Sequence, residues 1–79
     1  MAIQLPLIQK VMRKIFLIEK IEAGKSKYLQ MFNNEIYWNE NIKLAYPFKN
    51  EDEAIASILR LSEIEVDSFL QIIKVYQKL

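Results

Sequence analysis

The sequence predicts an all-α protein, a small bundle of three or four helices in a single domain over residues 1–79. Ile, Leu, Val and Phe supply 28 of the 79 residues, a share typical of a folded chain with an apolar core. Only one glycine and two prolines interrupt the chain, so its connections should be few and short. In the first and last thirds, apolar residues recur every three or four positions, which is the spacing of one helix face.

The first helix is predicted over residues 6–22. Pro6 suits the first turn of a helix, and Gly24 lies where a helix commonly ends. The polar stripe of this helix is narrow, so its apolar surface is wider than a surface helix needs. The apolar positions at helical spacing are Leu5, Ile8, Val11, Met12, Ile15, Ile18 and Ile21.

The middle of the chain allows two interpretations. One is a second helix, which Ser26 caps and which ends near Trp38; charged helix formers on both sides of Phe32 favour it. The other is a short β-meander within residues 28–46, with a turn at the Asn33-Asn34 pair. We prefer the helix, and the meander stays open as the alternative.

Two further helices are predicted in the last third. Asn50 followed by Glu53 is an N-cap with an acid at the third helical position, and it opens a helix that continues through Leu59. Ser62 followed by Glu65 has the pattern of a capping box and opens the last helix. The apolar stripe of the last helix consists of Val66, Phe69, Leu70, Ile73 and Tyr76.

The wide apolar faces of the first and last helices predict self-association. A chain of this length cannot cover both faces by itself, and a second copy is the economical cover. We therefore expect a homodimer and hypothesise a small non-enzymatic adaptor, inhibitor or regulator that also binds a protein partner. The residues expected to pack or to form interface contacts are Ile8, Met12, Ile15, Phe16, Phe69, Ile73 and Tyr76.

Catalysis and cofactor binding are not expected. The chain has no cysteine and no histidine, so it lacks thiolate nucleophiles, imidazole bases and the commonest transition-metal ligands. The acidic run at residues 51–53 lies at a helix start, where acids are usual. We predict no catalytic residue, no cofactor and no metal site.

A nucleic-acid- or nucleotide-binding regulator is the alternative function. Residues 54–70 have the packing pattern of a helix-turn-helix unit, but its second helix would present Glu63, Glu65 and Asp67 to a polyanion. Nucleic-acid binding is therefore possible but not favoured. A basic patch in the N-terminal third would carry it, formed by Lys10, Arg13, Lys14, Lys20, Lys25 and Lys27.

The sequence also predicts a cytoplasmic protein without a membrane span. No apolar run approaches the roughly 18–20 residues that cross a bilayer. The N-terminus begins apolar and becomes basic afterwards, which is the reverse order of a secretory signal.

Overall fold

The computed structural model describes residues 12–78, which form one antiparallel sheet of four strands and a single α-helix. The prediction of an all-α bundle is therefore wrong. The helix, α1, spans Glu51–Leu61, and a short 3-10 helix spans Ile42–Leu44. The strands are β1 (Met12–Glu22), β2 (Lys25–Phe32), β3 (Glu35–Asn39) and β4 (Phe69–Lys78).

The strands lie in the order β3-β2-β1-β4, and all neighbours are antiparallel. Tight hairpins join the first three strands, whereas the chain returns through α1 to place β4 beside β1. This is the strand arrangement of a Greek key, in which a long connection brings the fourth strand back to the first. Among the described strands, β1 and β2 are therefore central, and β3 and β4 are the edges.

Both hairpins turn through two residues with left-handed backbone. Ala23 and Gly24 have φ angles of 53° and 76°, and Asn33 and Asn34 have 52° and 64°. Positive φ at both central residues defines the type I′ turn, whose twist matches that of the flanking strands. Gly24 therefore turns β1 into β2 and does not end a helix, and the preferred helix from Ser26 to Trp38 is wrong.

The chain itself fills an opening between β1 and β2. The two strands pair only as far as Glu19 and Tyr28. Beyond that point Tyr46 donates its N–H to the Leu29 carbonyl at 2.7 Å, and Phe16 and Phe48 exchange two backbone hydrogen bonds of 2.9 Å. Residues 46–48 thus bridge the diverging strands, at the C-terminal end of the range predicted for the meander.

The helix α1 begins where the sequence predicts it. The Asn50 side chain accepts a hydrogen bond from the Glu53 N–H at 2.9 Å, and the acids at 51–53 lie at the positive end of the helix dipole. Ala54 and Leu61 are buried where one side of the helix packs against the sheet. The core formed in this way consists of Phe16, Ile18, Leu29, Phe48, Ala54 and Leu61.

Residues 12–22, predicted as most of the first helix, are the strand β1. Six consecutive residues from Ile15 to Lys20 are buried. A strand buried on both faces reads as a continuous apolar run, and such a run also satisfies the three-and-four spacing of a helix. The predicted positions Leu5, Ile8, Lys10 and Val11 lie outside the described residues.

The predicted last helix is also absent from residues 62–78. Ser62 ends α1 instead: its N–H donates to the Ile58 carbonyl, and its hydroxyl donates to the Leu59 carbonyl at 3.0 Å. Turns follow, and β4 begins at Phe69. The helix-turn-helix interpretation of residues 54–70 is therefore wrong, because only its first helix is present. Both faces of β4 carry apolar residues, and their combined spacing imitates a helical stripe.

Candidate interaction surface

The outer edge of β4 carries backbone groups that no strand within residues 12–78 pairs with. Phe16 exchanges both of its backbone hydrogen bonds with Phe48, on the side away from β4. Lys74 lies opposite Phe16 in the β1–β4 ladder, so its own N–H and C=O point away from β1. Since this direction alternates along a strand, the outward-pointing groups belong to Leu70, Ile72, Lys74, Tyr76 and Lys78.

This edge has little of the protection that sheet edges usually carry. The strand has ten residues, pairs with β1 in one unbroken register and contains no proline. Its only charged residues are Lys74 and Lys78. Natural proteins shorten, bulge, charge or cover their edges to prevent pairing with other chains. A long, regular and mostly uncharged edge is suited to accept another strand.

The predicted interface residues divide between the core and this edge. Phe16 belongs to the core and Ile15 is also buried, so both pack inside the subunit. Phe69, Ile73 and Tyr76 all lie on β4, where Phe69 and Tyr76 are 60% and 63% exposed. Met12 is exposed at the start of β1, and Ile8 lies outside the described residues.

The described residues of the predicted basic patch lie towards the two ends of β1. Arg13 and Lys14 lie at the beginning of β1, whereas Lys25 and Lys27 follow the turn at its other end. Lys20 lies between the two groups and is only 6% exposed. Lys10 is outside the described residues. The described bases therefore form two separate groups, and the Arg13 guanidinium donates to Gln77 at 3.0 Å.

Lys20 is a structural cation at the margin of the core. Its ammonium contacts a Glu65 carboxylate oxygen at 2.5 Å and lies 4.6 Å from the centre of the Trp38 ring. Lys27 is directly opposite it on β2, which adds a like charge nearby. The Glu65 carboxylate offsets the charge of Lys20, and the aromatic face contributes on the order of 1 kcal/mol to holding Lys20. These contacts leave Lys20 unavailable to an anionic partner.

A second surface, an apolar groove, lies between α1 and the β2–β3 hairpin. Its volume is about 230 Å³. Met31 and Ile36 form part of its floor and are exposed, while Arg60 and Ser57 supply its polar groups. The groove has no signal in the sequence, because it requires the packing of a helix beside a hairpin. Its lining is Leu29, Met31, Ile36, Ser57, Arg60, Leu61 and Ile64.

Comparisons with protein-family models, with curated proteins and with solved structures found no match to this chain. Within residues 12–78, no helix has both the length and the apolar character required to cross a membrane. In the same part of the chain, no three acidic side chains are grouped as they would be around a metal ion.

Proposed function

We propose that this chain is a non-enzymatic protein-interaction module that self-associates as a two-fold homodimer through the outer edge of β4. The observation that carries the proposal is the ten-residue edge, whose outward N–H and C=O groups have no strand partner within residues 12–78. A second copy of β4 offers the same groups in a self-complementary, antiparallel arrangement. The result is a continuous eight-stranded sheet.

The direction of the backbone groups restricts the register of this pairing. Hydrogen-bonded partners must both point outward, so each pair joins two of the five outward residues. A two-fold axis at Ile73 pairs Ile72 with Lys74 of the other copy, and Leu70 with Tyr76. Four of the five outward residues are then used, and both helices lie on the same face of the joined sheet.

The neighbouring registers are less favourable. An axis at Lys74 places two lysines directly opposite each other, and like charges in that position destabilise a sheet. An axis at Ile72 leaves both Tyr76 and Lys78 opposite residues that lie before the strand, so only three outward residues pair. The axis at Ile73 keeps the two copies of Lys74 apart, leaves only Lys78 without a strand partner and opposes two isoleucine side chains at its centre. Strand pairing of this length is a small interface, so we expect a dissociation constant on the order of micromolar.

Cysteine cross-linking tests both the partner and the register. The chain has no cysteine, so a single substitution gives an unambiguous thiol. Ile73→Cys places two thiols opposite each other in a non-hydrogen-bonded pair, whose Cα atoms are about 4.5 Å apart and within disulfide range. We expect mild oxidation to convert most of this variant to a covalent dimer on a non-reducing gel.

Val75→Cys is the matched control, because Val75 points to the same face as Ile73 and faces Gln71 of the other copy. Its two thiols are then separated by four residues along the strands, or about 13 Å, which no disulfide spans. Equal cross-linking of the two variants would contradict the register, and no cross-linking of a folded Ile73→Cys variant would contradict the β4 interface. Circular dichroism confirms that each variant is folded.

The basic N-terminal third remains the basis of the alternative prediction, a nucleic-acid-binding regulator. No feature of the described surface favours it, since the bases are divided and Lys20 is neutralised. Retention on duplex DNA at physiological salt, lost on reversing the charges of Lys10, Arg13 and Lys14, would contradict a purely protein-binding role.

A further inference from the structure

The other edge of the sheet, β3, also presents unpaired backbone groups. Leu29 directs its carbonyl to Tyr46 and so away from β3, and Trp38 lies opposite Leu29 in the β2–β3 ladder. The N–H and C=O of Trp38 therefore point outward, and by alternation so do those of Ile36. Within residues 12–78 no strand pairs with this edge. An added strand has two residues to bond there.

The apolar groove begins beside this edge. Ile36 and its cross-strand neighbour Met31 form the floor, and their side chains are 48% and 40% exposed. The far wall is the last turn of α1 together with Ile64, which is 71% exposed. A strand that pairs with β3 would direct every second side chain towards this floor. Apolar side chains at those positions would cover Met31 and Ile36.

The positive charge of Arg60 indicates which kind of ligand fits the groove. Arg60 lines the groove, and it forms no ion pair with any carboxylate within residues 12–78. A guanidinium at the rim of an apolar groove is a fixed, always-charged donor that binds carboxylates through paired hydrogen bonds. The groove therefore complements a ligand that is apolar along its length and anionic at one position.

We propose that the β3 edge and the apolar groove bind an extended apolar segment of another protein, which adds a strand to β3 and places a carboxylate on Arg60. Main-chain bonds to Ile36 and Trp38 supply affinity, and the groove with Arg60 supplies specificity, as in other cases of strand addition. The inference rests on the proposed function only in that the chain acts by binding protein. Its site is at the opposite edge from the β4 interface.

Selection from a display library of random decapeptides, with the full chain as bait, supplies a defined probe. We expect the selected peptides to have apolar residues at every second position and an Asp or Glu at one constant position. Binding of a synthetic copy is measured by titration of the fluorescence of Trp38, the single tryptophan, which lies on β3 itself. Arg60→Glu should weaken the binding of this peptide by about tenfold or more.

A charge exchange is the matched control. The same peptide with Lys in place of its acid should bind Arg60→Glu more tightly than it binds the unaltered chain. Selected peptides without a constant acid, affinity indifferent to Arg60→Glu, or no selected peptide at all would each overturn the proposal. Repeating the titration on Lys74→Pro, which removes an outward N–H of β4 and should not dimerise, separates the two sites, because loss of the dimer should leave peptide binding unchanged.

Discussion

Ala23 holds a backbone conformation that its own side chain disfavours. The type I′ turn between β1 and β2 requires positive φ at both central residues, and Ala23 has 53°. A β-carbon in the left-handed region costs about 1–2 kcal/mol, whereas Asn and Gly tolerate that region. The second hairpin uses Asn33 and Asn34 at the equivalent positions.

Ala23→Asn should therefore stabilise the protein by about 0.5–1 kcal/mol, measured as a higher urea midpoint with an unchanged slope. Gly24→Ala should have the opposite effect, although within residues 12–78 no atom beyond its two chain neighbours lies within 4 Å of the added β-carbon. Its loss of stability comes only from the φ of 76°. If both substitutions left the midpoint unchanged, the turn would not have this geometry.

Glu65 is expected to matter more for stability than an ordinary surface carboxylate. Lys20, its partner, has a side chain only 8% exposed and has Lys27 opposite it in the sheet. Glu65→Gln leaves the buried Lys20 ammonium without its counter-charge beside Lys27 and should cost about 1–3 kcal/mol in denaturant unfolding. Adding Lys20→Met to this variant should restore much of the loss, because the buried cation is then removed as well. Additive losses in the double variant would contradict the pairing.

Tyr37 makes the stability of the fold depend on pH in the alkaline range. Its hydroxyl donates to the Glu35 carboxylate at 2.5 Å, and this hydrogen bond, with a smaller effect of burial, raises the pKa of Tyr37 above its ordinary value near 10. The folded state holds the phenolic proton more tightly than the unfolded state does. The resulting stabilisation is present below the unfolded pKa and is lost as pH rises through the folded value.

Absorbance titration of tyrosinate should show Tyr37 ionising above the ordinary pKa of tyrosine. Tyr37→Phe should remove that late transition, and Glu35→Gln should move it towards the ordinary pKa. Tyr76→Phe is the control, because Tyr76 lies on β4, at the opposite edge of the sheet from Glu35 on β3. A titration curve unaffected by Glu35→Gln would contradict the hydrogen bond.

At the scale of single elements, the sequence predicted the helix well and the long strands poorly. Asn50 and the following acids act through local hydrogen bonds and the helix dipole, so the start of α1 is encoded where it occurs. The strand β1 is encoded differently: its burial depends on neighbours that are distant in sequence. Ile15–Ile18 therefore has no alternation to reveal a strand.

The strands nevertheless had a local signal in their composition. Adjacent β-branched and aromatic residues, such as Ile72-Ile73 and Val75-Tyr76, favour strands over helices. Periodicity outweighed this preference in the prediction, although it cannot distinguish a short buried strand from a helix. The Asn33-Asn34 pair was likewise a sufficient turn signal, because few other residues tolerate two consecutive positive φ angles.

At the scale of the whole molecule, the sequence predicted surplus apolar surface without its location. Three of the predicted interface residues, Phe69, Ile73 and Tyr76, lie on β4, whereas the sequence pattern predicted them as one stripe of a helix. In a strand, Phe69 and Ile73 point to one face and Tyr76 to the other. What joins them is the strand edge, a backbone feature that side-chain patterns do not encode. Side-chain patterns do not encode the groove beside α1 either, because it depends on how the helix packs beside the hairpin.

The predicted dimer depends on the N–H and C=O groups of β4 that point outward. A proline substitution can test this dependence without removing a hydrogen bond within the sheet itself. Lys74→Pro removes an N–H that points outward, so the ladder with β1 keeps its hydrogen bonds. Lys74→Ala removes the same side chain and retains the N–H. The two variants therefore separate the backbone contribution from that of the charge.

Light scattering over a concentration series, up to on the order of 100 micromolar, is the most direct test. The unaltered chain and Lys74→Ala should approach twice the 9.4-kDa mass of one chain, and Lys74→Pro should remain at that single mass with an unchanged circular dichroism spectrum. An unaltered chain that stays at 9.4 kDa throughout, or a proline variant that dimerises equally well, would contradict pairing through β4.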